Sequence, residues 1–181
     1  AVDKGLVAGQ QDGTFSPERP VTREEAASIV VEALGTKGLA TAVSVTAAPF
    51  PDVAPDRWSA EKITILKNAG IVTGDPSGNY RPTDTVTRAE LMAMLRRTAE
   101  VVASADGIRP EEIEPTGEVF NFSDTSGHWN EETIGVMSAY CGVATPYNER
   151  GSEFRPNNQS LRNYTTAAVY RLFDCGATPV Q

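Results

Sequence analysis

Apolar residues recur along the chain in short blocks of helical spacing, each separated from the next by Gly, Pro, Asp and Asn. Ala26, Ile29, Val30, Ala33 and Leu34 form one stripe, and Leu91, Met94, Leu95, Thr98, Ala99 and Val102 form another. Residues three and four apart share a face of an α-helix, so each block predicts a helix with one buried side. Thr22-x-x-Glu25 and Thr87-x-x-Glu90 precede these stripes as capping boxes, with Thr as N-cap and Glu reaching back from N3. Gly35 is expected to end the first of them. Two shorter stripes, Trp58, Ile63, Leu66, Ala69 and Trp129, Ile134, Met137, predict further helices closed by C′ glycines at Gly70 and Gly142. The segments between are expected to be turns rather than strands.

The blocks repeat. Gly70-Ile71-Val72-Thr73-Gly74, Gly78-Asn79-Tyr80-Arg81-Pro82 and Val86-Thr87-Arg88-Ala89-Glu90 each lie 65 residues beyond Gly5-Leu6-Val7-Ala8-Gly9, Gly13-Thr14-Phe15-Ser16-Pro17 and Val21-Thr22-Arg23-Glu24-Glu25. A weaker third copy carries Gly142-Val143-Ala144 and Phe154-Arg155-Pro156, offset by 72 and then 74 residues, so its turn is two residues longer. Front halves match as well: Phe50-Pro51-Asp52-Val53 with Trp58, against Phe122-Ser123-Asp124-Thr125 with Trp129. The first copy has no such half, which reads as a boundary with upstream residues missing. The organisation expected is repeat 1 over 1–35, a linker at 36–49, repeat 2 over 50–102, an acidic linker at 103–119 and repeat 3 over 120–176. A two-helix unit cannot bury its apolar face alone, so the expected fold is all-α, with neighbouring units sharing a core.

Phe50-x-Asp52, Trp58, Gly70-Ile71-Val72-x-Gly74, Gly78-x-Tyr80-x-Pro82 and Val86-Thr87-Arg88-Ala89-Glu90, in that order, resemble the S-layer homology (SLH) repeat. Repeat 2 is close to the family pattern, repeat 1 lacks its front half, and repeat 3 is degenerate, with Leu161-Arg162-Asn163-Tyr164 in place of Thr-Arg-Ala-Glu. The resemblance implies a pseudo-threefold assembly with a central helix bundle and grooves between loop prongs. It also implies non-covalent anchoring of an envelope or S-layer protein, as part of a larger chain, to a peptidoglycan-linked polysaccharide that carries a pyruvylated amino sugar. The expected location is extracellular, at the cell wall surface or in the periplasm. A protein-interaction or self-assembly module without a glycan ligand is the alternative.

The formal charge of −8 sets a field that repels phosphate backbones, and no Lys/Arg cluster interrupts it, so nucleic acid is not an expected partner. No apolar run is long enough to span a bilayer, and no charged segment followed by an apolar run opens the sequence, so a signal peptide is expected to be absent or already removed. Two cysteines, Cys141 and Cys175, and one histidine, His128, are too few for a Cys/His zinc site. The cysteines fall near the ends of two helices, where a disulfide or two buried thiols would both fit, and the pair is similar to one in some cyanobacterial relatives of the SLH family. A disulfide would place the chain in an oxidising compartment. His128 precedes a helix start and is expected to cap it. No metal or cofactor is expected: the acidic turns Gln11-Asp12-Gly13 and Asp75-Pro76-Ser77-Gly78 lack the alternating carboxylates of a calcium loop. No nucleophile elbow, metalloprotease or phosphate-loop motif is present, so the chain is not expected to be an enzyme.

Arg23, Arg88 and Arg162 stand at the first helical position, where a cation faces the positive end of the helix dipole and is disfavoured by roughly 0.3–1 kcal/mol. A ligand carboxylate held by the helix N-terminal amides and the guanidinium would offset this. An ion pair to an Asp of a neighbouring repeat, Asp52 or Asp124, would also do so. Trp58 and Trp129 are candidates for stacking on sugar, although the stripes they open favour core packing. Gly9 and Gly74 would let backbone approach a ligand, or simply serve as positive-φ turn residues.

Overall fold

A computed structural model describes residues 15–108 and 117–175. The chain is all-α: α1 (Arg23–Thr36), α2 (Ala60–Asn68), α3 (Arg88–Ala105), α4 (Glu131–Ala139) and α5 (Arg162–Asp174), with one 3-10 turn among the described residues, at Tyr147–Glu149. Extended pairing among the described residues is confined to three isolated bridges.

Both capping boxes form. The Thr22 and Thr87 hydroxyls accept from the Glu25 and Glu90 amides, and both glutamates reach back to the N-cap amides. The α2 end is built as expected: Gly70 takes φ +73°, its amide donates to Lys67 O, and the Ile71 amide donates to Leu66 O. Gly35 does not end α1. The helix runs through it to Thr36, and the same pair of reverse bonds forms three residues later around Gly38, from Gly38 to Gly35 O and from Leu39 to Leu34 O.

The three capped-stripe helices α1, α3 and α5 each pack on the other two, while α2 lies on α1 and α4 lies on α3. The predicted stripes supply the core, joined by Val21, Val86, Tyr80, Phe154, Ile134 and Met137. One correction concerns the tryptophans. Trp58 is 57% exposed and Trp129 67% exposed, so neither packs in the core. Each precedes its helix, whose N-cap is Ser59 or Asn130, and the helical period does not extend back across a cap. Ala69, at the other end of the first short stripe, is exposed as well.

What joins the repeats is a ring of backbone hydrogen bonds immediately before the three long helices. Val86 donates to Val21 O at 3.0 Å, Val21 to Ser160 O at 3.0 Å, and Ser160 to Val86 O at 2.8 Å. These residues occupy the same position in the three copies. The amides of the first helical turns continue the pattern. Arg23 and Glu24 donate to Asp84 O and Pro82 O, Arg88 and Ala89 to Asn158 O and Pro156 O, and Arg162 and Asn163 to Arg19 O and Pro17 O. Each helix start is thus satisfied by the loop of another repeat. This explains how α5 begins without a side-chain cap. A second tie is Glu24, buried and held by Arg57 through Nε at 2.7 Å and Nη2 at 2.9 Å, and by the Ser59 hydroxyl at 2.6 Å.

Cys141 and Cys175 are joined as a disulfide, with Cα atoms 5.7 Å apart. It links the ends of α4 and α5, whose backbones do not approach each other among the described residues. His128 does not cap a first-turn amide of α4; its Nδ1 accepts the amide of Asn130, the N-cap, at 3.1 Å, and Nε2 lies 3.1 Å from Asn157 Oδ1.

Candidate functional site

The three first-turn arginines share one environment. Each guanidinium lies against an aromatic ring of another repeat: Arg23 over Tyr80 at 5.0 Å, Arg88 over Phe154 at 4.5 Å and Arg162 over Phe15 at 5.0 Å. Arg23 Nε donates to Tyr80 O at 2.7 Å and Arg88 Nε to Phe154 O at 2.6 Å. A ring face and a carbonyl both favour a cation, and this offsets its position at the dipole's positive end. It also accounts for Arg162 persisting where the capping box is lost.

Two expectations about these arginines change. The first-turn amides are already donated to loop carbonyls, so they are not open to a ligand carboxylate, and any anion must be met by side chains. Neither Arg23 nor Arg88 forms an ion pair with Asp52 or Asp124. Asp52 accepts the amides of Tyr80 (2.8 Å) and Arg81 (2.6 Å), and Asp124 accepts those of Phe154 (2.7 Å) and Arg155 (2.7 Å). Burial acts to raise the Asp52 pKa, but these backbone donors outweigh it and hold the carboxyl below its ordinary value. Asp52 and Asp124 thereby fix the loop strand that carries the ring under each arginine.

A groove of about 190 Å³ runs between repeats 1 and 2, lined by Arg23, Thr73, Gly74, Arg81, Glu90, Arg97 and, from repeat 3, Trp129. Arg23, Gly74 and Trp129 are thus brought together. Gly74 takes φ +78°, and a Cβ there would stand 3.0 Å from the Phe50 ring and 3.1 Å from Asn79 O, so the position is closed to other residues by conformation and by space. Asp75 Oδ1 accepts from the Ser77 and Asn79 amides, which makes this loop a side-chain-closed turn. Arg23 Nη1 pairs with Glu90 at 3.2 Å, and Arg81 also reaches Glu90 at 3.4 Å. Arg97, which sequence reasoning missed because it sits on the polar side of an ordinary helix, donates to Ile71 O at 3.3 Å.

A second groove of about 410 Å³ lies between repeats 2 and 3, lined by Arg88, Tyr147, Glu149, Gln159, Asn163 and Tyr164. Arg88 is 3% exposed and donates to Phe154 O and Thr145 O. Its guanidinium stacks 3.6 Å from the Tyr164 ring centre. Burial lowers its pKa from the ordinary arginine value, partly opposed by Tyr164 and Tyr147. Asp124 and Trp58 line neither groove. Gly9 lies outside the described residues.

Residues 1–27 and 49–92 match the S-layer homology domain; the third repeat is not among the matched residues. The chain is 30% identical, over 96% of its length, to cell surface glycoprotein 1 of Acetivibrio thermocellus. It is 32% identical over 89% of its length to an S-layer protein of Bacillus licheniformis, and 28% identical over 93% to exoglucanase XynX of A. thermocellus. It spans only 7%, 16% and 14% of these relatives. No helix of the described residues is long and apolar enough to cross a membrane. With two matched stretches, capping boxes in both and cell-surface relatives over most of its length, the chain belongs to the S-layer homology family, a family of the cell envelope and wall surface.

Proposed function

We propose that the chain anchors a larger protein to cell-wall polysaccharide, binding an acidic glycan, such as one bearing a pyruvyl ketal, in its inter-repeat grooves. The observation that carries this reading is the convergence in one groove of Arg23 from repeat 1, Gly74 and Arg97 from repeat 2 and exposed Trp129 from repeat 3. A half-exposed indole offers a face to a sugar ring, while arginines at the floor offer charge and hydrogen bonds to a carboxylate. The arrangement around the hydrogen-bonded ring supports the pseudo-threefold assembly implied by the repeats. The relatives support a binding rather than catalytic role. One segment recurs in a surface glycoprotein, an S-layer protein and an exoglucanase, and covers a small part of each.

Retention on purified wall sacculi tests the reading. The chain should sediment with intact sacculi and stay in solution after chemical removal of the secondary polymer. Retention that survives removal would show that the polymer is not the ligand.

A further inference from the structure

The two grooves differ in how their arginines are placed against carboxylates. Arg23 and Arg88 occupy the first position of α1 and α3. Arg97 and Arg171 occupy the tenth position of α3 and α5. In the first groove the inner cation is compensated: Arg23 is paired with Glu90, while Arg97 meets only a backbone carbonyl and no carboxylate among the described residues. In the second groove Tyr164 occupies the place of Glu90, so Arg88 contacts aromatic rings and two carbonyls but no carboxylate among the described residues. Arg171 does not line that groove, but Glu149, with which it pairs, does.

A carboxylate entering the first groove at Arg23 would meet Glu90, and like charges at such distances repel, most strongly where water is excluded. Beside Arg97 it meets a cation with unused donors. In the second groove Glu149 is the carboxylate on the groove lining, and Arg88, stripped of solvent and touching no carboxylate among the described residues, is the attractor for an anion. We propose that the anionic group of the ligand is held by Arg97 in the first groove and by Arg88 in the second, so that the two grooves seat an acidic sugar in different orientations. This rests on the acidic-glycan reading above, and it makes Arg97 a specificity residue.

The test uses the intact chain labelled with 5-fluorotryptophan, so that Trp129 reports the first groove, with calorimetry counting sites. The probes are a synthetic N-acetylhexosamine carrying a 4,6-pyruvate ketal and the neutral methyl ester of that acid. For the unmodified chain we expect two sites and at least tenfold preference for the acid at each. Arg97→Gln should weaken the acid at the Trp129-reported site at least tenfold while leaving the ester's affinity there unaltered, a split that a merely structural role would not produce. Tyr164→Glu, which gives the second groove the carboxylate that the first already has, should weaken the acid at the other site at least tenfold; melting curves verify that both variants fold. If the acid binds the unmodified chain but Arg97→Gln keeps its full preference, the assignment is overturned and the anchoring reading stands. If neither probe binds the unmodified chain, both are overturned.

Discussion

Arg23 and Tyr80 hold each other through both backbone and side chain. The guanidinium Nε donates to Tyr80 O at 2.7 Å, and the Tyr80 hydroxyl returns a hydrogen bond to Arg23 O at 2.9 Å. The ring is fully buried, and burial drives the phenol's pKa far above its ordinary value, so it remains a donor at any pH the protein meets. Repeat 3 has Phe154 at the equivalent place, with the ring but no hydroxyl. Tyr80→Phe should therefore fold normally and lose about 1 kcal/mol, the worth of one hydrogen bond, measured by urea denaturation.

Truncating the groove arginines separates their roles. Arg88→Ala would leave the carbonyls of Phe154 and Thr145 unpaired in a buried site, at a cost of about 1–3 kcal/mol for each such group. Arg23→Ala orphans only Tyr80 O and frees Glu90 to serve Arg81. Thermal melts should rank Arg88→Ala clearly below Arg23→Ala, and equal melting temperatures would show that burial of Arg88 contributes nothing.

The Cys141–Cys175 bond closes a span of 34 residues, for which chain entropy gives about 3–4 kcal/mol of stabilisation. Because the backbones of α4 and α5 do not approach each other among the described residues, the loss should be felt first at the repeat 3 end. Calorimetry with and without dithiothreitol should show a lower melting temperature on reduction, and Cys175→Ser should reproduce it without the reagent. Hydrogen exchange should place the earliest loss of protection in α4.

Acid should destabilise the chain through two carboxylates, Glu24 between repeats 1 and 2 and Glu25 within repeat 1. Burial alone would raise the pKa of Glu24, but Arg57 and Ser59 outweigh it, and Arg19 with the Thr22 amide does the same for Glu25. Both folded values therefore lie below the unfolded value of about 4.3. Their stabilisation is complete above that pH and is lost as pH falls through the folded values. Melting temperature should decline from about pH 4 downward, and Glu24→Gln, being less stable at neutral pH, should show a shallower decline.

Local signals were legible in the sequence and long-range ones were not. The capping boxes at Thr22 and Thr87 and the reverse turn at Gly70 depend on neighbours within five residues, and each appears as read. The partners of Arg23 were misassigned because Tyr80 and Glu90 reach it only through the pairing of repeats, which no local spacing encodes. Repetition itself did point to the right residues. The unusual placement of arginine at a helix start, seen three times, marked positions whose partners had to lie elsewhere. Arg97 carried no such mark, since a lone arginine on a polar helix face is ordinary, and only the groove around it distinguishes it. The tryptophans show the converse error, in which a period that is real within a helix was extended across its cap.

The reciprocal donation among Val21, Val86 and Ser160 has a consequence for how the domain comes apart. An open stack of repeats can shed its terminal unit and leave the others intact, because each unit touches only its neighbours. Here every copy is a neighbour of both others, and the opening amides of each long helix depend on carbonyls from another copy. Withdrawing one copy breaks two of the three mutual bonds and strips the start of a second helix. Unfolding should therefore be all-or-none, with no populated two-repeat intermediate. A load applied through the anchored protein would then be resisted by the whole domain together, and the grooves would persist until they vanish at once.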